Sequence, residues 1–491
     1  MKRVVAIVLL FAVFFLTFFL RIAISLQSEH FSYDAYLSLR QIENINERGV
    51  PLFNDPLSYG GRVHLFPPVF YYLVSFFDFV GLNLAAKIIS NLFFSLIVFA
   101  VYLISFQITN HRLISVMTSF FSSFIPLLFG SINEISIYSS VLLLTFFAVY
   151  FIININNNTH LNLAMFFLVL LVFTHSSAFL LIVGLLLFLL LLKLESFDAN
   201  KREQELILFV TFLALWFNFI VYKNALLIHG PLVIWQNIPL QVLTNYFFNL
   251  NIIQSIYYIG LIPVILGIYA MYYALFESKK RTLLLLISLF LSILTLLLLK
   301  LISFRIGLIF LGLILVILSS HSLKLIYSYI KKTKMPAMAD WFLLVIFILF
   351  CLTAVMPSFN LAFSSLENTP SVAEINALVW LNKNTANDSV ILARPEEGYL
   401  INYFAKRKNV LDQDYLLVKD AQQRYDDVQS IFSLRLKTEV IRKLNYYDVN
   451  YIYFSEKFSR EKNLYYVDDD CFDLVYNESV KIYYVRCKLN E

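Results

Sequence analysis

Charged side chains are scarce in this 491-residue chain, Asp, Glu, Lys and Arg making up 14% of it against 59% hydrophobic residues. A soluble domain carries about 25% charged residues, so a single water-soluble globule is excluded. Cysteine is nearly absent as well. Three residues, with no C-x-x-C and no His pair at ligand spacing, exclude a disulfide scaffold and a zinc site. The basic residues form no aromatic-interleaved patch, which excludes nucleic acid as a partner. Cys351 lies in an apolar run and reads as packing, whereas Cys471 and Cys487 both fall in the polar tail and can pair if that tail is extracellular.

The charge that is present is unevenly spread. Residues 1–357 hold 21 basic and 13 acidic side chains, and residues 358–491 hold 17 and 20. This division predicts a polytopic membrane domain over 1–357 and a soluble α/β domain over 358–491. Met1-Lys2-Arg3 opens an apolar run reaching residue 26 that lacks a small-residue cleavage site, so it reads as an uncleaved first helix. Further apolar runs lie near 84–108, 113–130, 135–154, 161–176, 177–194, 205–222, 254–275, 282–300, 305–320 and 340–357. Together these make about eleven spans.

With Lys2 and Arg3 inside, alternation of the spans puts Arg112, Lys193, Lys201, Arg202, Lys324 and the cluster Lys279-Lys280-Arg281 on the same side. The N-terminus is then cytoplasmic. The loops 27–83, 131–134 and 223–253 and the tail lie outside, in an integral protein of the cell membrane. Residues 67–79, apolar but short and carrying Asp78, read as an interfacial helix. In the tail, 374–382 reads as a helix, and 389–392, 449–454 and 480–485 as strands.

Because acids are so few in the outer loops, their positions carry information. Asp34 follows the first helix in Ser32-Tyr33-Asp34-Ala35-Tyr36, and Glu134 closes the turn Gly130-Ser131-Ile132-Asn133-Glu134. Two such carboxylates can hold a divalent cation, Mn²⁺ or Mg²⁺, or act as a general base on an acceptor hydroxyl. A cation would offset the charge developing on a leaving phosphate. Arg305, beside the turn Leu301-Ile302-Ser303-Phe304, can grip a lipid phosphate with its planar fork of donors; the alternative is snorkelling to headgroups, which suits Lys300. Asp55 and His175 are weaker candidates, and an isolated His is more often a hydrogen-bonded structural residue.

These residues resemble the GT-C superfamily of membrane glycosyltransferases, and within it the catalytic subunits of oligosaccharyltransferases. The likeness rests on Ser32-Tyr33-Asp34-Ala35-Tyr36-Leu37-Ser38-Leu39-Arg40, on Asn54-Asp55-Pro56 through Phe66-Pro67-Pro68, and on Gly130-Ser131-Ile132-Asn133-Glu134. In that last turn only Glu134 stands where the family has two acids. Leu378-Val379-Trp380-Leu381-Asn382 and Asp388-Ser389-Val390-Ile391-Leu392 are similar to the start of the family's soluble domain. Where the family carries Trp-Trp-Asp-Tyr-Gly, this chain reads Arg394-Pro395-Glu396-Glu397-Gly398, and recognition of Asn-x-Ser/Thr acceptors does not follow.

The resemblance implies a glycosyltransferase that moves a sugar or oligosaccharide from a polyprenyl-phosphate or polyprenyl-diphosphate donor to a protein, lipid or glycan acceptor at the outer face. It implies roles for Asp34 as base or metal ligand, Glu134 as its partner and Arg305 as a phosphate contact. Three alternatives remain at this point: an oligosaccharyltransferase with altered acceptor recognition, a flippase of lipid-linked sugars, and an inactive glycan-binding relative. Transporters place ionisable groups near the membrane midplane, whereas these acids lie at the outer mouth.

Overall fold

A chain segment inside hydrocarbon must pair its own backbone polar groups, and a run of Leu, Ile, Phe and Val achieves this as a helix. The computed structural model describes residues 1–248, 251–459 and 464–488; residues 249–250 of the 223–253 loop lie outside them. In chain order the first part comprises α1 (Arg3–Ser25), α2 (Ala35–Arg48), β1 (Asn54–Asp55), β2 (Arg62–Val63), α3 (Val69–Phe76), α4 (Leu82–Thr109) and α5 (Arg112–Ser123). There follow α6 (Pro126–Gly130), α7 (Tyr138–Ile153), α8 (Asn158–Thr174), α9 (Ala178–Leu194), α10 (Lys201–His229), α11 (Leu240–Phe248), α12 (Ile252–Ile259) and α13 (Leu261–Tyr273). The last helices of the apolar region are α14 (Arg281–Leu298), α15 (Phe304–Lys331), α16 (Met338–Phe350) and α17 (Met356–Glu367).

Beyond them come α18 (Val372–Asn384), β3 (Val390–Leu392), α19 (Gly398–Leu400), β4 (Lys408–Asn409), α20 (Ala421–Ile431), α21 (Lys437–Tyr446), β5 (Val449–Phe454), α22 (Glu456–Ser459), β6 (Phe472–Asn477) and β7 (Lys481–Val485). Among the described residues seven helical stretches are long and apolar enough to cross a membrane, and α7, α8 and α9 are shorter apolar helices.

The chain divides into two compact units. One comprises Met1–Glu29, Pro67–Val221 and Tyr246–Glu367; the other comprises His30–Phe66, Tyr222–Asn245 and Asn368–Glu491. In the first unit α15 is the central helix, buried along nearly all of its apolar length and packed by α13, α5, α4 and α14. Glycine permits the closest approaches: a Cβ on Gly267 of α13 would meet the Leu315 carbonyl of α15 at 2.9 Å. Two apolar runs that the sequence presents as continuous are broken. Gly260, at φ 103°, separates α12 from α13, a conformation that an L side chain rarely adopts. Pro126 opens α6 and leaves Ile125 extended, ending α5 just upstream.

The second unit is built on a five-stranded sheet in the order β4-β3-β5-β7-β6, with β3 parallel to β4 and β5, and β7 antiparallel to β5 and β6. Helix α18 starts at a capping box in which Ser371 Oγ accepts from Glu374 N and the Glu374 carboxylate accepts from Ser371 N. Leu392, Val428, Ile431, Leu444, Ile452 and Phe472 form its core. Cys471 and Cys487 form a disulfide, and Cys351 is free.

Candidate active site

In the first unit the turn after α6 is fixed by a buried arginine. Arg21, 1% exposed on α1, donates from Nη1 to the carbonyls of Leu128 (2.9 Å) and Phe129 (3.3 Å) and from Nη2 to that of Ser131 (3.1 Å). Its Nε donates to Asn91 Oδ1 at 2.9 Å, and Asn91 Nδ2 in turn donates to the Ile132 carbonyl at 2.9 Å. These bonds meet the carbonyls that a helix C-terminus leaves unpaired. The guanidinium also lies 4.8 Å from the centre of the Phe94 ring. Gly130 is required by space, because a Cβ there would lie 3.0 Å from the Leu361 Cβ.

On this turn sits Glu134, ion-paired with Arg305 at the start of α15. Arg305 Nη2 also donates to Ser131 Oγ at 3.1 Å, and Ser131 Oγ donates to the Leu127 carbonyl at 3.2 Å. The structure thus brings together two residues singled out from the sequence. The Glu134 side chain is 23% exposed and that of Arg305 45%, so the pair is partly solvated and adds only about 0–1 kcal/mol to stability. It leaves a guanidinium that a phosphate can reach, held in place by a carboxylate and a hydroxyl. His175 is structural in its contacts: its Nδ1 accepts from Ser177 N at 3.0 Å and lies 2.9 Å from Ser177 Oγ, in the turn between α8 and α9.

Asp34 and Asp55 belong to the second unit. Asp34 is exposed, at the N-cap position of α2, and makes no side-chain capping bond there. Asp55 is 1% exposed and receives a bidentate pair of hydrogen bonds from Arg40, at 2.7 and 2.8 Å. Burial alone would raise its pKa. Hydrogen bonds from His64 and Arg40 outweigh burial and hold the carboxyl well below the usual carboxylate range.

Around Asp55 lies a larger charged network that no local sequence pattern announces. His64 lies between Asp414 (Nδ1 to Oδ2, 3.1 Å) and Asp55 (Nε2 to Oδ2, 3.5 Å). Burial and the nearby Arg62 would lower its pKa, but the two carboxylates win and raise it. Arg62 pairs with Asp412 at 3.1 Å and Asp414 at 3.5 Å, and Ser58 Oγ donates to Asp412 Oδ2 at 2.5 Å. The β1–β2 hairpin is tied to the tail within one unit by these charges.

The segment Arg394-Pro395-Glu396-Glu397-Gly398 forms a short helical turn leading into α19. Glu397 accepts from the Arg394 backbone N–H at 3.2 Å, and its burial pushes its carboxyl up to about 7. Glu374 accepts from Tyr33 Oη at 3.0 Å, so the residue preceding Asp34 is anchored to α18.

Among the described residues no group of three or more His, Cys, Asp and Glu side chains is placed to hold a metal ion. Glu134 is taken up by Arg305. No step is derived through a cation.

No protein-family model matches the chain, and no curated protein matches it. Solved structures do. The oligosaccharyltransferase of Archaeoglobus fulgidus, tethered with an acceptor peptide containing an NVT sequon, is similar at TM-score 0.68 and 14% identity, covering 93% of this chain and 70% of that one. Archaeal oligosaccharyltransferase AglB from the same organism, in complex with an inhibitory peptide and a dolichol-phosphate, gives 0.65 at 13% identity over 91% of this chain and 70% of that one. ArnT from Cupriavidus metallidurans, bound to undecaprenyl phosphate, gives 0.56 at 10% identity over 98% of both chains. The fold is therefore that of a GT-C-like polytopic helical membrane protein with a C-terminal sheet domain.

Proposed function

We propose that the protein is an integral-membrane glycosyltransferase using a polyprenyl-phosphate or polyprenyl-diphosphate sugar donor, with its acceptor at the outer face of the membrane. The observation that carries this reading is the Arg305 guanidinium, held by Glu134 and Ser131 on a turn that Arg21 fixes, within a GT-C-like fold. The structures similar to this chain include two with a lipid phosphate bound, dolichol-phosphate in one and undecaprenyl phosphate in the other. The Cys471–Cys487 disulfide supports a tail outside the cytoplasm, where such bonds persist.

In the proposed reaction the acceptor hydroxyl loses its proton to a carboxylate base, its oxygen attacks the anomeric carbon, and the bond from that carbon to the donor phosphate breaks. Arg305 meets the charge of the departing phosphate. Attack opposite the leaving group inverts the anomeric centre. The acceptor is a protein, lipid or glycan.

The test is release and transfer of sugar from a pool of radiolabelled polyprenyl-linked donors by purified protein, compared with Asp34→Ala and Glu134→Ala, with and without Mn²⁺ or Mg²⁺. Turnover that collapses in Asp34→Ala supports the reading. Retained thermal stability in Asp34→Ala shows that the loss reports chemistry rather than folding. Cation dependence would make Asp34 a ligand, and cation independence a base. A folded protein with no turnover on any donor would sink the proposal and favour a flippase or an inactive relative.

A further inference from the structure

The second unit contains a groove of about 700 Å³ between α2, the β1–β2 hairpin and the turn that follows α19. Its two buried arginines are paired, Arg40 with Asp55 and Arg62 with Asp412, and the Glu43 carboxylate accepts from Tyr403 Oη at 2.8 Å. The exposed charged residues at its rim, Glu47, Arg48 and Lys406, are of mixed sign. Apolar Leu52, Pro56 and Val63 are interspersed with these polar groups. Such a lining neither concentrates positive charge for a phosphate nor offers a continuous apolar surface for a lipid tail.

Asn402 also lines this groove, is 1% exposed, and finds no hydrogen-bond partner for either its amide nitrogen or its carbonyl oxygen. A buried polar group left unpaired costs about 1–3 kcal/mol, so an amide with both ends unmet calls for a partner that donates and accepts at adjacent atoms. Neighbouring hydroxyls of a sugar ring do this, and the ring's C–H face suits the apolar residues between the polar ones.

We propose that this groove binds an uncharged glycan, with Asn402 engaging a pair of adjacent hydroxyls. Binding here is distinct from reaction with the lipid-linked donor, and it stands or falls independently of transfer activity. The test is saturation-transfer NMR on the full-length protein in a sugar-free detergent, with maltohexaose, cellohexaose and chitohexaose as ligands and inorganic phosphate as a competitor. At least one hexasaccharide is expected to bind, and Asn402→Leu to weaken it by about tenfold or more through loss of its hydrogen bonds. Val63 is 43% exposed on a strand, where an aromatic side chain is tolerated, so Val63→Trp should obstruct the groove without touching the core. That second variant keeps the result readable if Asn402→Leu folds poorly. The proposal is overturned if none of the three binds, if phosphate displaces the bound sugar, or if Val63→Trp binds as well as the wild type.

Discussion

Burial of Glu397 gives the stability of the protein a pH dependence of definite sign. Its carboxyl sits at about 7 when folded, against 4.5 in an unstructured chain. Below pH 4.5 both states are protonated and the residue imposes no penalty. Between these values the unfolded chain ionises first, so stability falls by about 1.4 kcal/mol per pH unit, on the order of 3 kcal/mol in all. Thermal melts at pH 5 and pH 8 should therefore differ less in Glu397→Gln than in the wild type. An undiminished difference would remove Glu397 as the cause. His64 contributes in the same direction, since its raised pKa means that its stabilisation is present below pH 6.5 and is lost as pH rises through the folded value.

The buried Arg40–Asp55 pair gives a sharper prediction at the same scale. Removing one partner strands a charge away from water, so Arg40→Leu should cost about 3–5 kcal/mol, read as a lowered midpoint in denaturant. Adding Asp55→Leu should recover much of that loss. If the double variant proved less stable than the single one, the pair would be stabilising in its own right rather than a requirement created by its own burial.

At the scale of elements, the turn into α19 depends on close packing. A Cβ on Gly398 would lie 2.5 Å from the Leu411 carbonyl and 2.6 Å from the Asp412 Cβ, and backbone cannot yield as a side-chain tip can. Gly398→Ala should destabilise the protein by about 1–3 kcal/mol, and a melting temperature equal to that of the wild type would contradict the packing described here. The disulfide joins Cys471, just before β6, to Cys487, just after β7, across a separation of 16 residues. Replacing both cysteines by serine should cost about 3 kcal/mol, with wild type under reducing conditions behaving alike.

The membrane helices were legible in the sequence because in hydrocarbon the backbone must pair with itself, so a long apolar run has one outcome. The breaks at Pro126 and Gly260 were less visible, since a single residue interrupts a pattern averaged over a window. In the tail, 449–454 reads as a strand and is β5, whereas β6 went unread. Its Phe-Asp-Leu-Val-Tyr-Asn pattern alternates poorly and follows three aspartates. Neighbouring pairs such as Arg40 and Asp55 lie only 15 residues apart, but Arg62 and Asp412 are separated by 350, and no local pattern could have joined them. Of the candidate site, scarcity of charge was enough to single out Glu134 and Arg305. That they face each other required the packing of α6 near the start of α15.

At the scale of the whole molecule, the Glu134–Arg305 pair allows a structural role to be separated from a functional one. Partly exposed ion pairs contribute about 0–1 kcal/mol, so neither Arg305→Ala nor the exchange Glu134→Arg with Arg305→Glu should much alter thermal stability. If the guanidinium meets the leaving phosphate, Arg305→Ala should lower turnover of a polyprenyl-linked donor by about 10²–10³-fold, the scale on which preorganised charge acts in a transition state. The exchanged double variant restores attraction between the two positions but puts a carboxylate where the phosphate must arrive, so its turnover should stay low. A double variant as active as the wild type would reduce the pair to a brace between the turn and α15, and phosphate recognition would have to be sought on other residues.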